Sequence, residues 1–368
     1  MSEKIKVLQY TGAMNRAGAE TLLMNVYRNI DREKYEFHFI SHTKNKCDYD
    51  EEIVKLGGRI LYIDQPNIIC INSFKQNFKK ILNENGPYNA IHSHMQLLNG
   101  LILKEATKNN IRNRISHAHL NGDYCSNSFI RKIYRLKSKN LINKYSTEKL
   151  ACSKLAGDYL YSGNKFKMLN NAINIDDFNF NNKLDYMYDE LNLSKDIKFI
   201  THIGRFVEAK NHDFIIDVFE RVVNINGKFR LLLIGQGKLL NEVKQKVKER
   251  GLERYVFFLG LRTDINKVLA STDVFFMPSI LEGLPVVLVE AQAAGVPCIV
   301  SNNIPKEADL GLEIIKYLDL SESKNKWAKA IINSIYNKKS FETRKNKIIE
   351  SGYNLDDNIQ FLSEIYSR

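Results

Sequence analysis

Short runs of four to six residues, rich in β-branched and aromatic side chains, recur along the chain. Between them lie longer segments in which apolar positions return every three or four residues. The runs predict strands and the segments predict helices. In the first half the strand candidates are Lys6–Gln9 (KVLQ), Glu36–Ile40 (EFHFI), Ile60–Ile63 (ILYI), Ala90–Ser93 (AIHS), Arg114–His117 (RISH) and Lys149–Cys152 (KLAC). A second series runs through Lys198–Ile203 (KFITHI), Phe229–Ile234 (FRLLLI), Tyr255–Leu259 (YVFFL), Val274–Met277 (VFFM), Pro297–Val300 (PCIV) and Ile314–Tyr317 (IIKY). Strands alternating with helices predict parallel α/β sheets. Two such series predict two Rossmann-like domains, residues 1–170 and 198–345. Between them "NNAINIDDFNFNNKLDYMYDELN" (170–192) is polar and weakly patterned, so 171–197 reads as an interdomain linker. Residues 346–368 read as a terminal helix, either closing the second domain or crossing back to the first.

Composition narrows the class. At 368 residues the chain is longer than one hydrophobic core usually grows. No stretch reaches the roughly 18 apolar residues of a membrane span. The lead "MSEKIKVLQYTG" lacks the apolar core and cleavage site of a secretory signal, so the chain is expected in the cytoplasm. Cys47, Cys70, Cys125, Cys152 and Cys298 are odd in number and scattered, without a CxxC pair, which favours reduced thiols over a disulfide framework or a thiolate zinc site. The net charge of +12 is uneven: between Lys104 and Lys167, 14 bases face 4 acids. Such a run is either a solvated face or a surface for anionic lipid or phosphorylated partners.

The densest chemistry lies in "SILEGLPVVLVEAQAAGVPCIVS" (279–301). Pro285 suits the first position of a helix and Gly295 the residue just past its end, predicting a helix over 285–294. Its first turn would present unpaired N–H groups and a positive dipole end near Gly283 and Leu284, a seat for phosphate. Glu282 at the helix mouth and Glu290 in its second turn could accept paired hydrogen bonds from vicinal hydroxyls. The plainer alternative is a helix-start acid stabilised by about 0.3–1 kcal/mol, with Glu290 merely exposed. A loop after the first strand of the second domain carries Arg205 and Lys210, a guanidinium fork and an ammonium suited to a pyrophosphate. Gly204, Gly235 and Gly237 lie in nearby turns.

"EGLPVVLVE" resembles the E-x7-E signature of retaining glycosyltransferases of family 4. "THIGRFVEAKNHDFII" (201–216) is similar to that family's strand-loop-helix in which an Arg and a Lys bind the donor diphosphate. "LLLIGQGKL" (231–239) and "NNAINIDDF" (170–178) are similar to further family segments. The resemblance implies a GT-B fold, two Rossmann-like domains facing each other across a cleft. It also implies transfer of a sugar, with retention, from a nucleoside-diphosphate sugar (UDP favoured) to a hydroxyl acceptor. Arg205, Lys210, Glu282 and His119 are then the expected catalytic residues, and Gly18, Gly204, Gly235, Gly283, Leu284 and Glu290 the donor-binding ones. Front-side attack assisted by the leaving diphosphate would need neither metal nor cofactor. A glycan or lipid-linked acceptor of capsule, exopolysaccharide or lipopolysaccharide synthesis fits the basic first domain.

"YTGAMNRAGAETLL" (10–23) resembles the family's amino-terminal loop, with Gly12 and Gly18 as loosening points, but reads Ala17-Gly18-Ala19-Glu20 where a Gly pair is common. Its spacing is not that of a dinucleotide fingerprint. Two His-x-His pairs, "IHSHM" and "SHAHL", end successive strands, so each pair shares a face and zinc chelation is imaginable. No carboxylate or cysteine is near to complete such a site. His119 best matches the His that the family turns toward the transferred sugar, with His117 and His94 behind it. "SFIRKIYRLKSKNLINK" (128–144) reads equally as a basic amphipathic membrane-surface helix or as one packed on the sheet. No nucleic-acid-binding module accompanies its bases. Other readings are an epimerase or hydrolase on the same fold, a non-catalytic sugar-nucleotide binder, or a membrane-associated scaffold.

Overall fold

The computed structural model describes residues 3–66, 70–123, 128–180, 182–334 and 339–368; Cys125 lies outside them. The chain divides into two compact units, residues 1–172 with 354–368, and residues 173–353.

In the first unit β1 (Ile5–Gly12), β2 (Tyr35–Ser41), β3 (Arg59–Tyr62), β4 (Ala90–Ser93), β5 (Asn113–Ala118), β6 (Glu148–Ala151) and β7 (Lys167–Met168) form one parallel sheet in the order β3-β2-β1-β4-β5-β6-β7. The order reverses at β1, which pairs with β2 on one side and β4 on the other. Alternation feeds both faces. Val7, Phe37 and Phe39 turn toward helices Gly18–Asn29 and Leu355–Tyr366, where Leu22, Val26, Leu362 and Ile365 are buried with them. Leu8, Tyr10, Ile40 and Ile91 turn the other way, onto Phe74, Phe78, Leu82, Ile102 and Leu103. Covered on both faces, these strands read as near-continuous apolar runs. Each buried Leu or Phe contributes about 1.5–3 kcal/mol.

The second unit repeats the design. β8 (Lys198–Ile203), β9 (Phe229–Ile234), β10 (Val256–Gly260), β11 (Val274–Met277), β12 (Cys298–Ser301) and β13 (Ile315–Leu318) pair in parallel in the order β10-β9-β8-β11-β12-β13, reversing at β8. Ile200, Leu231, Leu233 and Phe276 pack against Ile215, Phe219 and Trp327. On the opposite side Phe275 and Met277 pack against Leu288 and Val289.

Three segments depart from the expected pattern. β7 is two residues at a sheet edge, too short to show periodicity. The units join at Ala172–Ile173, yet most of the segment read as a linker is folded. Ile175–Phe178 is a 3-10 turn and Tyr186–Leu191 a helix, with Ile173, Ile175, Phe178 and Met187 buried. The terminal stretch is two helices rather than one. Phe341–Glu350 belongs to the second unit; then Gly352 at φ +74 donates to Ile349 O, Tyr353 donates to Ile348 O, and Leu355–Tyr366 packs in the first unit. That pair of hydrogen bonds is the glycine-dependent helix stop that satisfies the last carbonyls.

Candidate active site

In an open parallel sheet, ligands bind outside the carboxyl ends of the strands where the order reverses. In the second unit that place is the loop after β8, which carries Gly204, Arg205 and Lys210. The neighbouring loops clamp it. Gly204 N donates to Ile234 O and Phe206 N to Gln236 O, both at 2.9 Å, while Leu239 N donates to Phe206 O at 3.1 Å. From the other side Ile280 N donates to Ala209 O at 2.8 Å, and Asn211 Nδ2 to Pro278 O at 3.1 Å. The ends of β8, β9 and β11 are thus tied into one surface.

Glycine makes this possible at two points, Gly235 and Gly237; a Cβ on Gly237, whose φ is +157, would lie 2.4 Å from Phe206 O. A Cβ on Gly235, whose φ is +139, would lie 2.1 Å from Gly204 O. Gly204 in turn leaves space for the Lys210 stem: a Cβ there would sit 3.2 Å from Lys210 Cδ. The other two predicted glycines have no such packing role. A Cβ on Gly283 would meet nothing within 4 Å, and one on Gly18 would meet Asn171 Nδ2 at an ordinary 3.5 Å. In the amino-terminal loop it is Gly12, at φ +83, that needs to be glycine.

Lys210 Nζ donates to Glu282 Oε1 at 2.5 Å, joining the β8 loop to the mouth of the next helix. The side chains are only 18% and 10% exposed, so the pair sits in a medium where charges interact more strongly than in water. Glu282 therefore holds Lys210 in place as well as presenting a carboxylate. Arg205 is exposed and has no ion-pair partner among the described residues. The same loop thus carries one uncommitted guanidinium and one anchored ammonium, groups suited to a dianionic phosphate.

The following helix is Val286–Ala293, with Pro285 at its N-cap rather than its first turn. Its end is the predicted one: Gly295 at φ +73 donates to Gln292 O and Val296 to Ala291 O. Buried Arg344 caps the same end, donating to the carbonyls of Ala293, Phe178 and Phe180. Leu284, partly buried, packs against the core under the helix. The Glu290 carboxyl has no hydrogen-bond or ion-pair partner among the described residues, and the ion pair of Lys210 is with Glu282 instead. By surface area it is partly exposed, but the protein around it strips water from its carboxyl and pushes it from 4.5 up to about 7.

That shift predicts a pH dependence. The folded value lies above the unfolded one, so between about pH 4.5 and 7 the native state holds the extra proton, and stability falls as pH rises through that window. Glu290→Gln, which cannot ionise, is expected to match wild type near the acid end and exceed it at about pH 8 by up to roughly 3 kcal/mol. Urea unfolding at both pH values checks this; parallel pH slopes in the two proteins contradict it.

The first unit carries the remaining predicted residues. His119 follows β5 and His94 follows β4; His94 Nδ1 and His119 Nε2 lie 2.8 Å apart. His117 is buried on β5 beside His92 on β4, with His117 Nδ1 and His92 Nε2 3.2 Å apart. Ring nitrogens of His92, His94 and His117 fall within 4.8 Å of one another. Sequence reasoning missed His92 as their partner, although it is the first member of the same His-x-His pair. Of the basic helix Phe129–Tyr145, only Ser138 and Ile142 are buried, while Phe129, Ile130 and Leu136 are 76%, 71% and 66% exposed. Arg131 and Arg135 share Asp123, so one of these two positive charges is balanced locally. No helix among the described residues is long and apolar enough to cross a membrane.

Comparison with known proteins places this geometry. Residues 187–354 match the family model "Glycosyl transferases group 1". Over 375 residues the chain is 34% identical to EpsF of Bacillus subtilis (strain 168), named as a glycosyltransferase, covering 100% of this chain and 97% of that one. It is 29% identical to the capsular polysaccharide biosynthesis glycosyltransferase CapH of Staphylococcus aureus, covering 98% of each. Half of the chain is 28% identical to 49% of an Escherichia coli UDP-Gal:alpha-D-GlcNAc-diphosphoundecaprenol alpha-1,3-galactosyltransferase. Among solved structures, Anabaena Alr3699/HepE in complex with UDP and glucose aligns over 99% of both chains at TM-score 0.76 and 18% identity. The chain belongs to the group 1 glycosyltransferases and has their GT-B fold.

Proposed function

We propose that this glycosyltransferase moves a sugar, with retention at the anomeric carbon, from a UDP-sugar to a lipid-linked glycan of bacterial capsule or surface polysaccharide synthesis. The observation that carries the reading is the pairing of an uncommitted Arg205 with a Glu282-anchored Lys210 at the reversal point of the second sheet. In this reading Arg205, Lys210 and the N–H groups near Gly283 and Leu284 take the charge of the departing diphosphate, without a metal ion. Charge that develops in a site with fixed donors needs little reorganisation of its surroundings. Glu282 and Glu290 accept from hydroxyls of the donor, and His119 contacts the transferred sugar. The E. coli relative's named donor and diphosphoundecaprenol-linked acceptor support the choice of UDP and a lipid carrier.

Thermal shift against UDP-, GDP- and ADP-sugars in the presence of EDTA tests the donor. A donor at 100 times its Kd stabilises the fold by about 2.7 kcal/mol. A UDP-sugar response that EDTA leaves intact, followed by a product of unchanged anomeric configuration, is the expected result. Nucleotide release without glycoside, an inverted product or a metal requirement contradicts it.

The acceptor side rests on helix Phe129–Tyr145. Phe129, Ile130 and Leu136 stand exposed beside exposed Lys132 and Lys137, a surface suited to the interface of an anionic bilayer. The triple variant Phe129→Ser, Ile130→Ser, Leu136→Ser is expected to lose most of its sedimentation with phosphatidylglycerol vesicles while keeping its thermal midpoint. Unchanged sedimentation contradicts membrane contact through this helix.

A further inference from the structure

Four histidines stand two by two at the carboxyl ends of β4 and β5, and their rings form two rungs. His92 Nε2 meets His117 Nδ1 at 3.2 Å with ring planes 14° apart; His94 Nδ1 meets His119 Nε2 at 2.8 Å with planes 26° apart. The rungs stack, with centroids 4.2 Å apart for His92 and His94 and 4.1 Å for His117 and His119. Within a rung the centroids are 5.3 and 5.1 Å apart, the separation of two nearly coplanar rings pointing nitrogen at nitrogen. Metal ligands instead converge on a common point about 2.0–2.1 Å from each nitrogen. The observed geometry is that of N–H···N hydrogen bonds.

The rungs are joined through two further side chains. His94 Nε2 lies 3.3 Å from Gln9 Oε1, Gln9 Nε2 donates to the Tyr366 hydroxyl at 3.1 Å, and that hydroxyl lies 2.7 Å from His92 Nδ1. The result is one unbranched chain: His119, His94, Gln9, Tyr366, His92, His117. Its two ends, His119 Nδ1 and His117 Nε2, are buried atoms with no partner among the described residues.

A neutral imidazole has one donor and one acceptor nitrogen, so a single choice propagates along such a chain. The Gln9 carbonyl only accepts, which puts the His94 proton on Nε2 and leaves His94 Nδ1 to accept from His119 Nε2–H. His119 Nδ1 is then bare. On the other arm Gln9 donates to Tyr366, Tyr366 to His92 Nδ1, and His92 Nε2–H to His117 Nδ1, which leaves a proton on His117 Nε2. Turning the Gln9 amide over would reverse every donor. Burial keeps the rings neutral, lowering His92 to about 3 and His119 to about 4 and holding His94 and His117 well below the usual imidazole value.

We propose that Gln9, Tyr366 and His94 are positioning residues that lock the tautomer of His119, committing its Nε2–H to His94 and leaving Nδ1 as an acceptor for a ligand hydroxyl. The lock reaches the chain's last helix, because Tyr366 lies on Leu355–Tyr366. The lock stands on this geometry; its effect on catalysis rests on the reading that His119 contacts the transferred sugar.

Two-bond 1H–15N correlation spectra of the full chain labelled with 15N-histidine distinguish Nδ1–H from Nε2–H. In wild type at neutral pH, His94 and His119 are expected as Nε2–H. Tyr366→Phe removes only the hydroxyl that anchors the Gln9 amide and is expected to give His119 a mixture of tautomers; Gln9→Leu checks the same arm separately. With the donor found by thermal shift, Tyr366→Phe is expected to lower kcat roughly two- to tenfold at constant KM, one hydrogen bond's worth of preference. An Nδ1–H His119 in wild type, an unshifted His119 in both variants, or stoichiometric zinc binding that perturbs all four rings overturns the lock. Tautomers that shift while kcat holds uphold the lock and remove instead the contact between His119 and the sugar.

Discussion

Arg205→Ala is expected to lower kcat by about 10²–10³-fold, the loss that follows removal of one fixed donor aimed at developing charge. The same change should move the unfolding free energy by less than about 0.5 kcal/mol, because the side chain is exposed and without an ion-pair partner among the described residues. Lys210→Ala should match the catalytic loss but not the neutral stability. It strands Glu282, only 10% exposed, without its cation, and breaking a largely buried pair costs up to about 3–5 kcal/mol. The double variant Lys210→Ala, Glu282→Gln is expected to recover most of that stability and none of the turnover. Initial rates with the identified UDP-sugar and urea unfolding of the three proteins check these expectations. Turnover equal to wild type in all of them removes the diphosphate role assigned to the two bases.

The second large effect is expected from a methyl group. In Gly235→Ala the new Cβ would lie 2.1 Å from Gly204 O and 2.9 Å from Gly204 C, both backbone atoms, at a φ of +139 that alanine rarely adopts. No side chain can move to relieve this, so the Arg205 loop must shift against β9. A stability loss of about 2 kcal/mol or more and a fall in kcat of roughly 10²-fold are expected, since misplacement by about 1 Å is enough for that. Gly283→Ala, whose Cβ meets nothing within 4 Å, is the control and should stay within about 0.5 kcal/mol of wild type. Melting midpoints of both variants and the rate of Gly235→Ala decide; a Gly283→Ala variant less stable than Gly235→Ala contradicts the packing assigned to the two glycines.

The architecture was largely legible because strands buried on both faces leave unbroken apolar runs and the helices between them keep their 3.6-residue period. Local punctuation worked for the same reason. Gly295 is the left-handed helix stop that its position indicates. Gly352 is the same signal in "ESGYN"; reading it would have divided the terminal stretch into its two helices. What stayed hidden is what joins distant segments. Nothing local says that Lys210 will meet Glu282, 72 residues on, or that Gln9 will bond Tyr366, 357 residues on. Those contacts come from the registers of parallel strands and from a terminal helix returning to the first unit. The glycines show the same limit. Composition marks Gly18, Gly235 and Gly283 alike, but only at Gly235 does a neighbouring backbone exclude a Cβ. The basic helix was ambiguous for a different reason: one apolar stripe serves either a core or an interface, and only exposure of Phe129, Ile130 and Leu136 separates them.

The central claim is that the β8 loop and the following helix start receive the donor's diphosphate. A crystal structure of the chain with UDP tests it most directly. The account predicts phosphate oxygens within hydrogen-bond distance of the Arg205 guanidinium and Lys210 Nζ, with the β-phosphate at the N–H groups of Gly283 and Leu284. A diphosphate bound away from this loop, with Arg205 still in solvent and Lys210 still committed to Glu282 alone, would contradict it.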